Sequence, residues 1–354
     1  MNRVNAAICL SVGIAACCAI TLSCQSSIEP DDPATDLIEF ESVYQFLQSF
    51  SIWQEKIPDD PFNFDSPVAL MTAISDTLRG NDYTRYYDDY FYVNAEFDTI
   101  ESSVFLDSLT PSTALLTITG FESWTCDDFT RVALGAAKYK NIVIDVRQNR
   151  GGYLNMVDSI IESLLPSETQ VIQALYRDYG DDEHSYITKG WEIWKTDHGP
   201  DAVFENKKYA VLMDDYSASA SEILISALYE GTRAPLFGAR TYGKAIGQIH
   251  ISRRTRPTVQ MTFLRLKGIS DRIGDYHRTG ISPDSVPVKM QQQAAALDSS
   301  QQPVYFAVKT LEPQISVSDI NYPPKRLHNA SGLPAAPACV KVIAEEEILT
   351  PSGR

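Results

Sequence analysis

A hydroxyl and an amine carry the chemistry that this sequence offers. Tyr216-Ser217-Ala218-Ser219-Ala220-Ser221-Glu222 lies between a strand-like apolar run, 209–213, and a stretch of helical apolar period, 221–230. A serine at such a junction sits beside the free N–H groups and the positive end of a helix. Those groups can hold the negative oxygen of a tetrahedral intermediate. The same pattern also describes an ordinary N-cap, with Glu222 favouring the first turn. A nucleophilic serine needs a base, and the five histidines, at 184, 198, 250, 277 and 328, stand in no recognisable catalytic setting. His250 falls in an alternating strand. A lysine serves instead when it is neutral. With a reference pKa of about 10.4, only about one lysine in a few thousand is neutral at pH 7, so the site must desolvate it. Lys244, in Thr241-Tyr242-Gly243-Lys244-Ala245-Ile246-Gly247-Gln248, has the small and apolar neighbours for that. Gln248 would orient the amine without adding charge. Taken alone, Lys244 reads as a solvated loop lysine.

The elements that must position these residues alternate. Strands are expected at 114–118, 141–146, 171–176, 209–213, 235–237 and 258–266, and helices at 125–138, 155–165 and 221–230. Strand–helix alternation predicts an α/β domain with helices packed on a sheet. Ahead of it, helical periods at 37–53 and 67–78 are separated by Pro58 and Pro61. The stretch 83–92, dense in tyrosine and aspartate, has no firm assignment. Beyond 313, Pro323, Pro324, Pro334 and Pro337 read as a mostly extended tail.

A third block joins the serine and the lysine: Asn141-Ile142-Val143-Ile144-Asp145-Val146-Arg147-Gln148-Asn149-Arg150-Gly151-Gly152, a buried strand running into a Gly-Gly turn. With this block the sequence resembles the carboxyl-terminal processing peptidases, or tail-specific proteases. Their pattern is Asp-Leu-Arg-x-Asn-x-Gly-Gly, then Ser-Ala-Ser-Ala-Ser-Glu, then Gly-Lys with a glutamine four residues on. All three blocks occur in order and with the family's serine–lysine spacing. Tyr83-Thr84-Arg85-Tyr86 and Gly280-Ile281-Ser282-Pro283-Asp284 are weaker echoes, so the resemblance runs over about 37–311. It implies an α/β fold of crotonase/ClpP-like type, a mixed sheet with packed helices, with a small N-terminal helical cap. It implies Ser219 as nucleophile, Lys244 as general base and Gln248 as the lysine's partner. The oxyanion hole would be the N–H of Ala220 with that of Gly151 or Gly152, and Asp145, Arg147 and Asn149 would fix the loop. Protein or peptide substrates follow, hydrolysed through an acyl-enzyme with no metal or organic cofactor. A non-catalytic peptide-binding or surface lipoprotein that shares the fold is the alternative. Most relatives carry a PDZ domain after the Tyr-Ser/Thr-x-Tyr segment. Residues 92–111 are too few for one, since an independent domain needs roughly 50 residues or more.

The first residues read as a processing segment. Arg3 supplies a positive n-region, 6–22 is apolar, and Thr21-Leu22-Ser23-Cys24 precedes a polar run. Cys24 is expected to be the lipidated residue of a bacterial lipoprotein. Thr21 is uncommon at its place in that pattern, Ile14-Ala15-Ala16-Cys17 is the competing site, and plain signal cleavage or an uncleaved membrane anchor are the other readings. The division is then 1–23 signal peptide, 24–36 tether, 37–100 helical cap, 101–312 peptidase core and 313–354 tail. The catalytic part is expected outside the cytoplasm, held to a membrane through the lipid only. Cys126 and Cys339 remain in the body, either as a disulfide or as two thiols, and no Cys/His spacing suggests zinc. Hydrophobic residues make up 44% of 354, enough for a full core. A net charge of −16 argues against nucleic acid as a partner and against adsorption to anionic lipid.

Overall fold

The computed structural model describes residues 102–326, apart from 180–185, 189 and 254–255, together with short stretches between 41 and 87. Eleven strands among these residues form two sheets. In the first, β3 (Thr113–Ile118), β4 (Asn141–Asp145), β8 (Lys208–Met213) and β9 (Leu236–Gly238) run parallel, and β2 (Val104–Ser108) closes one edge antiparallel to β3. Parallel strands buried on both faces need unbroken apolar runs, as in Ile142-Val143-Ile144. Alternate residues point to opposite sides. Leu116, Ile142, Ile144 and Val211 meet helices α1 (Thr125–Ala136), α2 (Leu154–Leu164) and α3 (Ala220–Thr232). Leu115, Val143, Ala210 and Leu212 meet Val304, Tyr305 and Val308 of a later helix.

The two helices after the sheet are α4 (Val288–Gln293) and α5 (Gln301–Leu311), and α5 covers that second face. The sequence reading assigned neither. Pro303 lies in the first turn of α5, where a missing N–H costs nothing.

The second sheet comprises β1 (Arg85–Tyr87), β5 (Gln170–Tyr179), β6 (Tyr186–Thr188), β7 (Glu192–Lys195), β10 (Ile246–Arg253) and β11 (Arg256–Lys267), all paired antiparallel. The expected helices at 125–138, 155–165 and 221–230 match α1, α2 and α3 to within two residues at each end. The strands at 114–118, 141–146, 209–213 and 235–237 are likewise present, shifted by a residue at most. In the N-terminal part, 41, 43–45, 47–49, 69–70 and 73 are helical, and Val43, Leu47 and Leu70 are buried. The Ile52 N–H donates to the Thr262 carbonyl of β11 at 3.4 Å, tying this segment to the second sheet. Of the remaining assignments, 83–84 and 88–92, the leader, the tether and 327–354 lie outside the described residues. Among the described residues, no helix is long and apolar enough to cross a membrane.

Residues 313–326 belong to the expected tail but are docked. A short 3-10 turn spans Val317–Asp319, Ile320 is buried, and Asn321 donates through its N–H to the Leu109 carbonyl and through Nδ2 to the Ser108 carbonyl. The prolines exclude regular hydrogen bonding but not packing.

Candidate active site

Ser219 stands at the join of β8 and α3, in a backbone conformation of φ 57°, ψ −114°. An L-residue adopts positive φ only where its surroundings hold it there. They do so through a chain of short bonds. After β8, the Asp214 carboxylate accepts from the Tyr216 N–H, and the Asp214 N–H donates to Ser217 Oγ, forming a tight turn. Ser217 Oγ donates to the Val146 carbonyl at 2.8 Å, and the Ala218 N–H donates to the Asn149 carbonyl at 3.1 Å. Ser221 Oγ donates to the same Asn149 carbonyl at 2.9 Å. The serine turn is thereby stitched to the Gly-Gly turn that follows β4.

That second turn is fixed by Asp145, Arg147 and Asn149, as expected. Arg147 forks onto Asp145 (Nε to Oδ1 2.8 Å, Nη2 to Oδ2 2.7 Å) and donates through Nη1 to the Ser300 carbonyl before α5. Asn149, fully buried, donates through Nδ2 to the Ile118 carbonyl and accepts the Gly151 N–H on Oδ1 at 2.9 Å. Gln148, at φ 67°, donates through its N–H and its side chain to Asp214. Burial works against the Asp214 charge, yet these bonds, the Tyr216 N–H and nearby Lys325 hold its carboxyl below the usual range.

The two glycines are required for different reasons. A Cβ on Gly151 would lie 2.8 Å from the Ala218 carbonyl and 3.1 Å from the Ala220 nitrogen, so the turn rests against the serine loop. A Cβ on Gly152 would strike the Phe121 carbonyl at 2.2 Å. The Gly151 N–H is already used by Asn149. The N–H groups of Gly152 and Ala220 have no hydrogen-bond partner among the described residues. Of the two glycines expected to supply the second donor, Gly152 is the one with a donor to offer.

Lys244 lies in the turn before β10 and is 8% exposed. Its Nζ donates to Gln248 Oε1 at 3.0 Å, and Gln248 is fully buried. A register shift between Gly247 and Gln248 re-aims this side chain within the β10–β11 pair. A loop from Asp275 to Ile281 supports the lysine turn, with Arg278 N–H to the Gly243 carbonyl at 2.7 Å and Thr241 N–H to the Ile281 carbonyl at 3.0 Å. His277 in that loop is pulled down to about 4 by burial, Arg265 and Arg278, so its ring is neutral at pH 7. His198 is exposed, and His184 and His328 lie outside the described residues.

One buried group was missed in the sequence. Glu222, read as a first-turn acid, is fully buried and holds both halves of the site. Its Oε2 accepts the Ser219 N–H at 2.9 Å and the Lys244 N–H at 2.8 Å, and its Oε1 accepts the Gly243 N–H at 2.8 Å and the Thr241 hydroxyl at 2.5 Å. Burial pushes its carboxyl up to about 7, and the four donors work against that shift. The signal available was the serine–glutamate spacing of a capping box, which alone says only that a helix begins. Cys126 carries a free thiol, partly buried, and Cys339 lies outside the described residues. No group of metal-ligating side chains occurs among the described residues.

Glu222 thus joins Ser219, at a strained strand–helix junction, to the buried Lys244 held by Gln248, and the Gly151 turn rests against the serine loop. Residues 112–286 match the family model of peptidase family S41. It is 24% identical over 185 residues to a Staphylococcus haemolyticus protein named "Probable CtpA-like serine protease", covering 52% of this chain and 35% of that one. It is 27% identical over 205 residues to the "Carboxy-terminal processing protease CtpB" of Bacillus subtilis, covering 57% and 36%. The chain thus spans about a third of the length of these curated relatives. The solved structure of a photosystem II D1 C-terminal processing protease superposes with a TM-score of 0.51 at 14% identity, over 71% of this chain and 92% of that one, a likeness of fold.

Proposed function

We propose that the chain is a serine-type endopeptidase that hydrolyses extracytoplasmic proteins or peptides, with Ser219 as nucleophile and Lys244 as general base. The observation that carries this reading is the pair of N–H groups, Ala220 and Gly152, that have no partner among the described residues, in two turns stitched together around a serine held at positive φ. Neutral Lys244 takes the Ser219 hydroxyl proton as Oγ attacks the scissile carbonyl carbon. The oxyanion that forms is received by the Ala220 and Gly152 N–H groups. The tetrahedral intermediate collapses as the lysine ammonium gives its proton to the departing amine, leaving an ester on Ser219 and a neutral amine on Lys244. Water, deprotonated by Lys244, then attacks the ester, and as the second tetrahedral intermediate collapses the lysine ammonium returns that proton to Ser219 Oγ and the acid is released. Gln248 holds the amine in place by accepting a hydrogen bond from Nζ on its Oε1. These steps call for no metal or organic cofactor.

A fluorophosphonate probe tests the reading. Ser219 is expected to be labelled, and Ser219→Ala is expected to abolish both labelling and peptide hydrolysis with an unchanged circular dichroism spectrum. Undiminished hydrolysis by that variant would remove Ser219 from the mechanism. We further propose that residues 1–23 are a lipoprotein signal peptide and that Cys24 carries the lipid. In a diderm bacterium the protein is expected to incorporate labelled palmitate and to enter detergent, and Cys24→Ala to release it. Labelling that survives Cys24→Ala and is lost in Cys17→Ala would move the anchor to the shorter leader.

A further inference from the structure

The Glu222 carboxylate does more than begin a helix. Its reach back to the Ser219 N–H is an ordinary capping arrangement. The other three donors are not. Thr241, Gly243 and Lys244 belong to a separate loop between β9 and β10, and they converge on the same two oxygens. One oxygen, Oε2, is shared by the backbone N–H groups of the residue proposed as nucleophile and the residue proposed as base. We infer that Glu222 is a positioning residue that sets the separation of Ser219 and Lys244 by binding both backbones to one oxygen.

This inference rests on the peptidase reading above. The Lys244 side chain swings from a Cα fixed by that bond, while Gln248 restrains the far end of the amine. The lysine loop has its own supports, so it is not hung on Glu222 alone. Tyr242 donates through its N–H to the Ser217 carbonyl at 3.0 Å, and Ile281 donates through its N–H to Thr241 Oγ1 at 2.7 Å. Loss of the carboxylate is therefore a change of alignment within a standing loop. A neutral amide cannot replace it. Glutamine presents one acceptor oxygen and one NH2, and the NH2 would face N–H donors wherever it turned. A misplacement of about 1 Å between reacting groups costs a factor of about 100 in rate.

The test uses Glu222→Gln and the wild type. With Glu222→Gln, kcat on a peptide substrate is expected to fall about 100-fold with KM within about threefold, and fluorophosphonate labelling of Ser219 to slow in parallel. Glu222→Asp, which keeps the charge but shortens the reach, should recover only part of this. A folded Glu222→Gln enzyme with wild-type kcat would overturn the inference, whereas failure of the wild type to label or hydrolyse would overturn the peptidase reading instead. Should Glu222→Gln fail to fold, amide hydrogen exchange of the wild type still decides. The N–H groups of Ser219, Gly243 and Lys244 are expected to exchange together and about 100-fold more slowly than those of Gly152 and Ala220. Exchange of Gly243 and Lys244 at the rate of an open loop would overturn it.

Discussion

Lysine and arginine carry the same charge, and at position 244 that is all they share. The proposed mechanism needs an amine that can be neutral, and a guanidinium stays protonated. Lys244→Arg is expected to lower kcat/KM by at least about 1,000-fold while the chain stays folded by circular dichroism. Near-normal rates in that variant would mean that another group accepts the Ser219 proton. At this scale the sequence was informative where neighbours in the chain are neighbours in space. Ser219 with Ala220, Lys244 with Gln248, and Asp145 with Arg147 and Asn149 all lie within a few residues of each other, so their spacing reported their geometry. Glu222 was illegible for the opposite reason. Three of its four donors lie 19 to 22 residues along the chain, and no local pattern announces them. The choice between Gly151 and Gly152 was equally hidden, because it turns on where the Asn149 side chain points.

Helix α2 carries a cost that its sequence conceals. Glu162 is held by the N–H groups of Asp197 and His198, which brings Asp197 towards Asp158 one turn back on the helix. Burial, with Glu162 and Asp197 adding to it, pushes the Asp158 carboxyl up to about 6. A folded-state pKa above the unfolded one, about 3.9, contributes stability that is complete below pH 4 and lost as pH rises through 6. Asp158→Asn removes that loss. Urea unfolding is expected to find the variant more stable than wild type by about 2 kcal/mol at pH 8 and equal to it at pH 4. A variant no more stable at pH 8 would show that water reaches the ionised carboxylate. The same helix illustrates what periodicity can find. α2 has apolar residues at Val157, Ile160, Ile161 and Leu164, an unbroken stripe, and its bounds were legible to within a residue or two. α5 breaks its pattern with Pro303 and two glutamines at its start, and its role became visible only once the first sheet proved to have a second face to cover. β2 and β7 are edge strands, half exposed, and edges demand little of their sequence.

At the scale of the whole molecule, residues 313–326 bind parts of the chain that are far apart in sequence. Arg326 forks onto Asp107 of β2, with its guanidinium 4.2 Å from the Phe105 ring, and Lys325 reaches Asp214 at 3.4 Å. Asp214 is the residue that holds Gln148 of the Gly-Gly turn and Tyr216 of the serine turn. The strap therefore runs from the outer edge of the first sheet to the base of the candidate site. Single exposed ion pairs are worth about 0–1 kcal/mol, and the cation–π contact adds about 0.5–1 kcal/mol. Burying Ile320 adds about 1.5–3 kcal/mol, which exceeds either. A chain ending at Glu312, the boundary that the prolines suggest, is thus expected to lose about 2–4 kcal/mol in urea unfolding relative to a chain ending at Arg326. Comparing those two chains assigns the loss to 313–326 and to nothing beyond. Arg326→Ala in the longer chain should account for about 1 kcal/mol of it, and that part should shrink in high salt because screening weakens an exposed pair. Fluorophosphonate labelling of the shorter chain is expected to slow at temperatures where it is still folded, since Asp214 loses Lys325 and the serine turn loses a support. Equal unfolding midpoints for the two chains would mean that the strap lies on the molecule without stabilising it.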